Sequence, residues 1–141
     1  MTKLTLNQAN KIIEAAIADA RKKNYQAMAI VVLDEAGNLK AAQREDDASM
    51  FRVDIATGKA WAAVGMGIAS RALAERAADN PNFFTTLAAT AKGKFLPQPG
   101  AVLITDANGN TLGAVGASGG TGDQDEEICI TGVAAVGLSH R

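Results

Sequence analysis

Ala27-Met28-Ala29-Ile30-Val31-Val32-Leu33-Asp34-Glu35-Ala36-Gly37-Asn38-Leu39-Lys40-Ala41-Ala42-Gln43-Arg44 reads as two short strands joined by a turn, and this stretch decides the fold class. The β-branched run Ile30, Val31 and Val32 suits a pleated, buried surface. Asp34 to Asn38 supplies the acid, glycine and amide that turns use. The same pattern returns at Ala101 to Thr105, a turn through Asp106, Ala107, Asn108, Gly109 and Asn110, and then Thr111 to Ala117. Two hairpins predict an antiparallel sheet.

Outward from these hairpins the period changes to that of helices. Thr5 and Gln8 have the spacing of a capping box, and Ala9, Ile12, Ile13, Ala16, Ile17 and Ala20 follow at helical intervals up to about Asn24. Phe51 to Asp79 is alanine-rich, interrupted by Gly58, Gly65 and Gly67 and closed by Asn80 and Pro81, which predicts one broken helix or two. A last helix is expected from Asp123, with Asp123 and Glu126 as cap and third position and Ile130, Val133, Ala134 and Gly137 facing inward. The expected fold is α/β of the α+β kind: helices flanking one antiparallel sheet in a single domain, residues 1–141.

Composition narrows the function classes. Apolar residues are 48% and charged residues 21%, a balance that forms a core. With 14 Lys and Arg against 15 Asp and Glu, and only six aromatic residues, no basic stacking surface for nucleic acid is expected. The most apolar run, Ala60 to Ala69, is too short to cross a bilayer, and Met1 to Asn10 lacks a leader pattern. The lone Cys129 fits a reducing compartment, so a cytoplasmic location without a membrane partner is expected.

The chemistry centres on Gly113-Ala114-Val115-Gly116-Ala117-Ser118-Gly119-Gly120-Thr121-Gly122-Asp123-Gln124-Asp125-Glu126-Glu127, a strand running through glycines into a helix. Such a loop presents backbone N–H groups to an anion, but four carboxylates in and beyond the cap oppose a phosphate. Gly116 to Gly120 also matches the G-x-S-x-G elbow, although the only histidine, His140, lies far along the chain. Lys59 has Ile55, Ala56, Ala62 and Ala63 as its helical neighbours and no carboxylate among them, so its partner comes from elsewhere in the fold, from water or from a ligand. Arg44, Glu45, Asp46, Asp47, Arg52 and Asp54 form a mixed-charge junction, read either as a solvated helix start capped by Asp or Ser or as a pocket rim. One histidine and one cysteine make no zinc site, and no metal ligands are assigned.

The pairing of Asp54-Ile55-Ala56-Thr57-Gly58-Lys59-Ala60-Trp61-Ala62-Ala63 with the glycine segment Gly113 to Asp125 resembles the GlcG/HbpS-like family, the haem-degrading domain family, and is similar to the PduO C-terminal domain. The likeness extends over nearly the whole chain, including the opening helix, the Asp34 to Asn38 turn and Arg44 to Ser49. It implies a profilin-like sandwich that assembles into tetramers or octamers. It also implies haem among the ligands of some members, others degrading haem, binding iron or sensing redox state, so membership alone does not define a chemistry. Where relatives often carry Gly-Gly-x-Pro before the late hairpin, this chain has Gln98-Pro99-Gly100, which alters the expected pocket wall. The axial-ligand choices for haem iron are His140, Cys129, Tyr25 and the methionines.

The combined reading is a small-molecule binder in a homo-oligomer, its ligand held by Arg44, Asp46, Asp54, Lys59, Trp61, Ser118, Gly119, Gly120, Gln124 and Asp125, with the cofactor unknown and haem implied by resemblance. A second reading makes it a small-metabolite enzyme with Lys59 and Ser118 as catalytic candidates. A third makes it a structural or partner-binding oligomer, associating through the small-residue helix Ala56 to Ala69.

Overall fold

In the computed structural model, which describes residues 2–141, the two predicted hairpins form β1 (Ala29–Asp34) with β2 (Leu39–Arg44) and β3 (Ala101–Thr105) with β4 (Thr111–Ser118). They join through β1 and β4 into a five-stranded antiparallel sheet ordered β2-β1-β4-β3-β5, where β5 is Ser139–His140. The two turns are built alike. Asp34 Oδ1 accepts from the backbone N–H groups of Ala36 and Asn38, and Asp106 Oδ1 accepts from those of Asn108 and Asn110. Gly37 and Gly109 take the left-handed conformation at φ +82° and +81°, which their lack of a Cβ permits.

Strand β1 is apolar at successive positions because both faces of the sheet are covered. Ile30 and Val32 point to a core shared with α1 (Leu6–Lys22) and α5 (Gly122–Ala135), where Ile12, Ile13, Val115, Ile128 and Val133 are buried. Val31 and Leu33 point the other way, onto Ala56, Ala60 and Ala63 of α2 (Phe51–Met66). The predicted capping box of Thr5 and Gln8 starts α1. Alanines and glycines let α2 lie close to the strands: a Cβ on Gly116 of β4 would sit 2.4 Å from the Ala56 carbonyl oxygen.

The stretch Phe51 to Asp79 is two helices, one of the two arrangements expected: α2 and α3 (Ser70–Asp79), broken where Gly67 turns left-handed at φ +74°. Other boundaries differ from expectation. Pro81 does not end the helical region. It occupies the first turn of α4 (Pro81–Thr90), where a proline loses no hydrogen bond, and Phe84 anchors that helix on Phe95 at a ring separation of 6.0 Å. The last helix starts at Gly122, and its capping box is Thr121 with Gln124, not Asp123 with Glu126. No Asp or Ser side chain caps α2, whose preceding residue is Met50. His140 lies in β5 opposite Ile104, and Arg141 exchanges backbone hydrogen bonds with Leu103.

The small-residue helix expected as a subunit interface is used inside the chain. Ala56, Gly58, Ala60, Ala62 and Ala63 are buried against the sheet and against the segment that precedes β3. Gly116→Ala should therefore lower stability by about 2 kcal/mol, because carbonyl and methyl cannot share that space without a backbone shift. A urea midpoint equal to that of the unsubstituted chain would show that the helix and strand are not in that contact.

Candidate functional site

Lys59 is buried at 5% exposure, and its partner comes from a helix far along the chain. Its ammonium donates to Asp125 Oδ2 at 3.0 Å and to the Ala117 carbonyl at 3.1 Å. The second carboxylate oxygen of Asp125, itself 1% exposed, accepts from the Gly120 N–H at 2.9 Å. Four elements of structure thereby meet at one ion pair: α2, the end of β4, the glycine turn and the first turn of α5. Gly100 closes the back of this arrangement. At φ +133° it already favours glycine, and a Cβ there would lie 2.6 Å from Lys59 Nζ.

Beside the pair lies a cavity of about 390 Å³, within the range of roughly 300–1,000 Å³ usual for small-molecule sites. Arg52, Ile55 and Lys59 form its α2 wall, Gln98 and Pro99 another, and Ser118 with Gly120 to Asp123 and Asp125 the third. Arg52 Nη1 donates to Ser118 Oγ at 3.2 Å. The carboxylates expected to repel an anion all lie in ion pairs, two of them sharing one arginine. Arg71 pairs with Asp123 and Glu126, Lys59 with Asp125, and Lys23 with Glu127. Among the described residues Arg52 has no carboxylate within ion-pair distance, so it is the uncompensated charge of the cavity wall.

Of the residues expected to act together, Lys59, Ser118, Gly120 and Asp125 share this wall. Gly119 and Gln124 belong to the same turn but serve it internally. Gly119 lies against the Ala27 carbonyl, where a Cβ would be 2.2 Å from the oxygen, and Gln124 Oε1 accepts from the Thr121 N–H at 3.1 Å. Arg44 is on β2, bonded to the Ala48 carbonyl, and Asp46 lies in the following turn. Asp54 and Trp61 line a different cavity, because residues two apart on a helix, such as Lys59 and Trp61, do not face the same way. Arg52, read from sequence only as one member of a junction or pocket rim, is the wall residue of that cluster; its spacing of seven from Lys59, two helical turns, carries the signal.

The carboxylates of the lining, Asp123 and Asp125, are both held in ion pairs. Ser118 has a guanidinium as its side-chain partner, and His140 lines a separate cleft with Arg71 and Arg141. The lining offers no axial ligand for haem iron: no His, Cys, Met or Tyr is in the wall. Cys129 is fully buried against the Gly100 carbonyl, and burial pushes its thiol well up, disfavouring the thiolate that would bind iron. Tyr25 gives its hydroxyl to Glu127 at 2.7 Å. Among the described residues no cluster of His, Cys, Asp and Glu has the arrangement of a metal site, and no helix is long and apolar enough to cross a membrane.

Comparison with known proteins places this architecture. The family model described as haem degrading protein HbpS-like matches residues 4–134. An uncharacterised 15.0 kDa protein of the dhaT-dhaS intergenic region of Citrobacter freundii is 30% identical over 91% of this chain and 88% of its own length. The corrinoid adenosyltransferase PduO of Citrobacter freundii is 27% identical over 96% of this chain, which spans 39% of that protein's length. Among solved structures, the PduOC:haem complex superposes with a TM-score of 0.87 at 25% identity, covering 98% of both chains. A double mutant of Streptomyces reticuli HbpS superposes with a TM-score of 0.83 at 30% identity, over 96% of this chain and 88% of that one.

Because Asp125 is buried, removing the ammonium leaves an uncompensated charge, and Lys59→Met should cost about 4 kcal/mol. The double variant Lys59→Met/Asp125→Leu should recover much of that loss. Denaturant unfolding of both variants checks this, and a Lys59→Met chain as stable as the original would show that the pair does not hold the fold.

Proposed function

Because this chain belongs to the HbpS-like family, we propose that it is a small-molecule-binding protein whose ligand is an anionic organic molecule seated in the cavity beside Arg52. The observation that carries this reading is the charge arrangement of the wall: every carboxylate near the glycine turn lies in an ion pair, while Arg52 does not. A planar guanidinium fixed at one nitrogen by Ser118 keeps other N–H donors for a carboxylate, which it recognises with two parallel hydrogen bonds. The N-terminus of α5 adds a favourable dipole at the same wall.

Haem is the ligand the family suggests, since a relative of this fold was crystallised with it. The wall fits the carboxylate end of such a molecule and does not fit its iron, for which it has no axial donor. Binding would accordingly rest on the porphyrin's carboxylates and apolar face, against Ile55, Leu96 and Pro99. Haemin and metal-free protoporphyrin IX should then bind with similar affinity, and Arg52→Ala should weaken both by about tenfold. Soret and fluorescence titrations check this. Unshifted spectra for both at micromolar protein would remove porphyrins as ligands, and equal affinity in Arg52→Ala would remove Arg52 from the site.

We propose also that the protein works as a homo-oligomer. Leu39, Met50, Phe51 and Phe83 are large apolar side chains left exposed, and β2 is an edge strand with one neighbour. Light scattering should report a multimer at micromolar concentration, and a monomer would overturn that part of the reading.

A further inference from the structure

A second cavity flanks α2, of about 510 Å³, on a different stripe of the helix from Arg52, Ile55 and Lys59. It lies between the Asp34–Asn38 turn, α2 and the Gly93–Lys94 segment, with Asp54, Thr57, Gly58 and Trp61 as its helical wall. Two close approaches shape it. Gly58 lets the segment after α4 lie against the helix, where a Cβ would be 2.9 Å from that of Leu96 and 3.2 Å from the Lys94 carbonyl oxygen. Gly37 brings the hairpin turn onto the indole edge, a Cβ there lying 3.3 Å from Trp61 Nε1.

Leu33, Leu39 and the indole of Trp61 are the apolar lining, while Asp54, Lys94 and Asn38 are the polar one. Asp54 and Lys94, of opposite charge, both line this cavity without pairing: no ion pair within 4.0 Å joins either of them to a described residue. The side-chain groups of Asn38, Asp54, Trp61 and Lys94 likewise make no hydrogen bond to another described residue, whereas the Thr57 hydroxyl, on the same wall, is spent on the Val53 carbonyl. A ligand that satisfies an unpaired carboxylate and an unpaired ammonium at once carries both complementary charges.

From this juxtaposition we propose that the cavity is a binding site for a small zwitterion of the amino-acid class, its ammonium toward Asp54, its carboxylate toward Lys94 and its apolar portion on Trp61. Trp61 is the sole tryptophan, so its emission reads the site directly. L-leucine, which is transparent where indole absorbs, is the probe. It should change Trp61 emission saturably below about 10 mM, the range of a millimolar dissociation constant. Isoamylamine and 4-methylpentanoate, each lacking one of the two charges, should bind at least about tenfold more weakly, because a site built for a charged group rejects the analogue without it. Asp54→Asn and Lys94→Met, both substitutions of exposed side chains, should abolish the leucine response at unchanged thermal stability, and Arg52→Ala should leave it intact. No saturable change with leucine, equal binding of either single-charge analogue, or an unaltered response in Asp54→Asn and Lys94→Met would each overturn the assignment. None of these outcomes bears on the Arg52 cavity, which the porphyrin titrations test separately.

Discussion

The ion pair of Lys59 and Asp125 is the constraint around which the functional end of this molecule is arranged. Two charges withdrawn from water cost several kcal/mol each in desolvation, and their attraction offsets this only when the remaining donors and acceptors are also met. Here they are: the ammonium has the Ala117 carbonyl, the carboxylate has the Gly120 N–H, and no buried side-chain polar atom among the described residues lacks a partner. That satisfaction requires the end of β4, the glycine turn and the start of α5 to sit in one orientation relative to α2. Gly100, ahead of β3, follows from it, since a side chain there would fall on Lys59.

The pair also decides the electrostatics of the adjoining cavity. Asp125 is paired with Lys59, and Arg71 on α3 is shared between Asp123 and Glu126. A helix start that reads as strongly acidic is therefore partly compensated, and Arg52 is the cation of the wall that no carboxylate holds. In a partly enclosed site such a charge acts through a lower effective dielectric than in bulk water, which is why its pairing state matters more than the count of charges along the chain.

Helix α2 serves three environments with three stripes. Ala56, Ala60 and Ala63 meet the sheet, Arg52, Ile55 and Lys59 face the cavity beside the ion pair, and Asp54, Thr57, Gly58 and Trp61 face the second hollow. Small residues on the inner stripe bring the helix near the strands, leaving no room for a Cβ at Gly116, and the longer side chains on the flanks then reach the turns on either side. Close packing of the centre and open space at the margins come from the same choice of residue size.

Local pattern in the chain was enough for the two hairpins, the capped first helix and the α+β class, since turn chemistry and hydrophobic period act over a few residues. It missed α4, where Pro81 starts a helix after Asn80 instead of ending the region, and β5, whose two residues owe their conformation to Ile104 and Thr105 across the sheet. Which cation answers which carboxylate, and that Asp54 and Trp61 leave the Lys59 side, were settled by tertiary structure alone. Lys59 and Asp125 are sixty-six positions apart, and no local rule selects a partner at that distance. Only the packing of α2 and α5 around β4 brings those side chains into one buried volume, where a charge without its opposite could not stay.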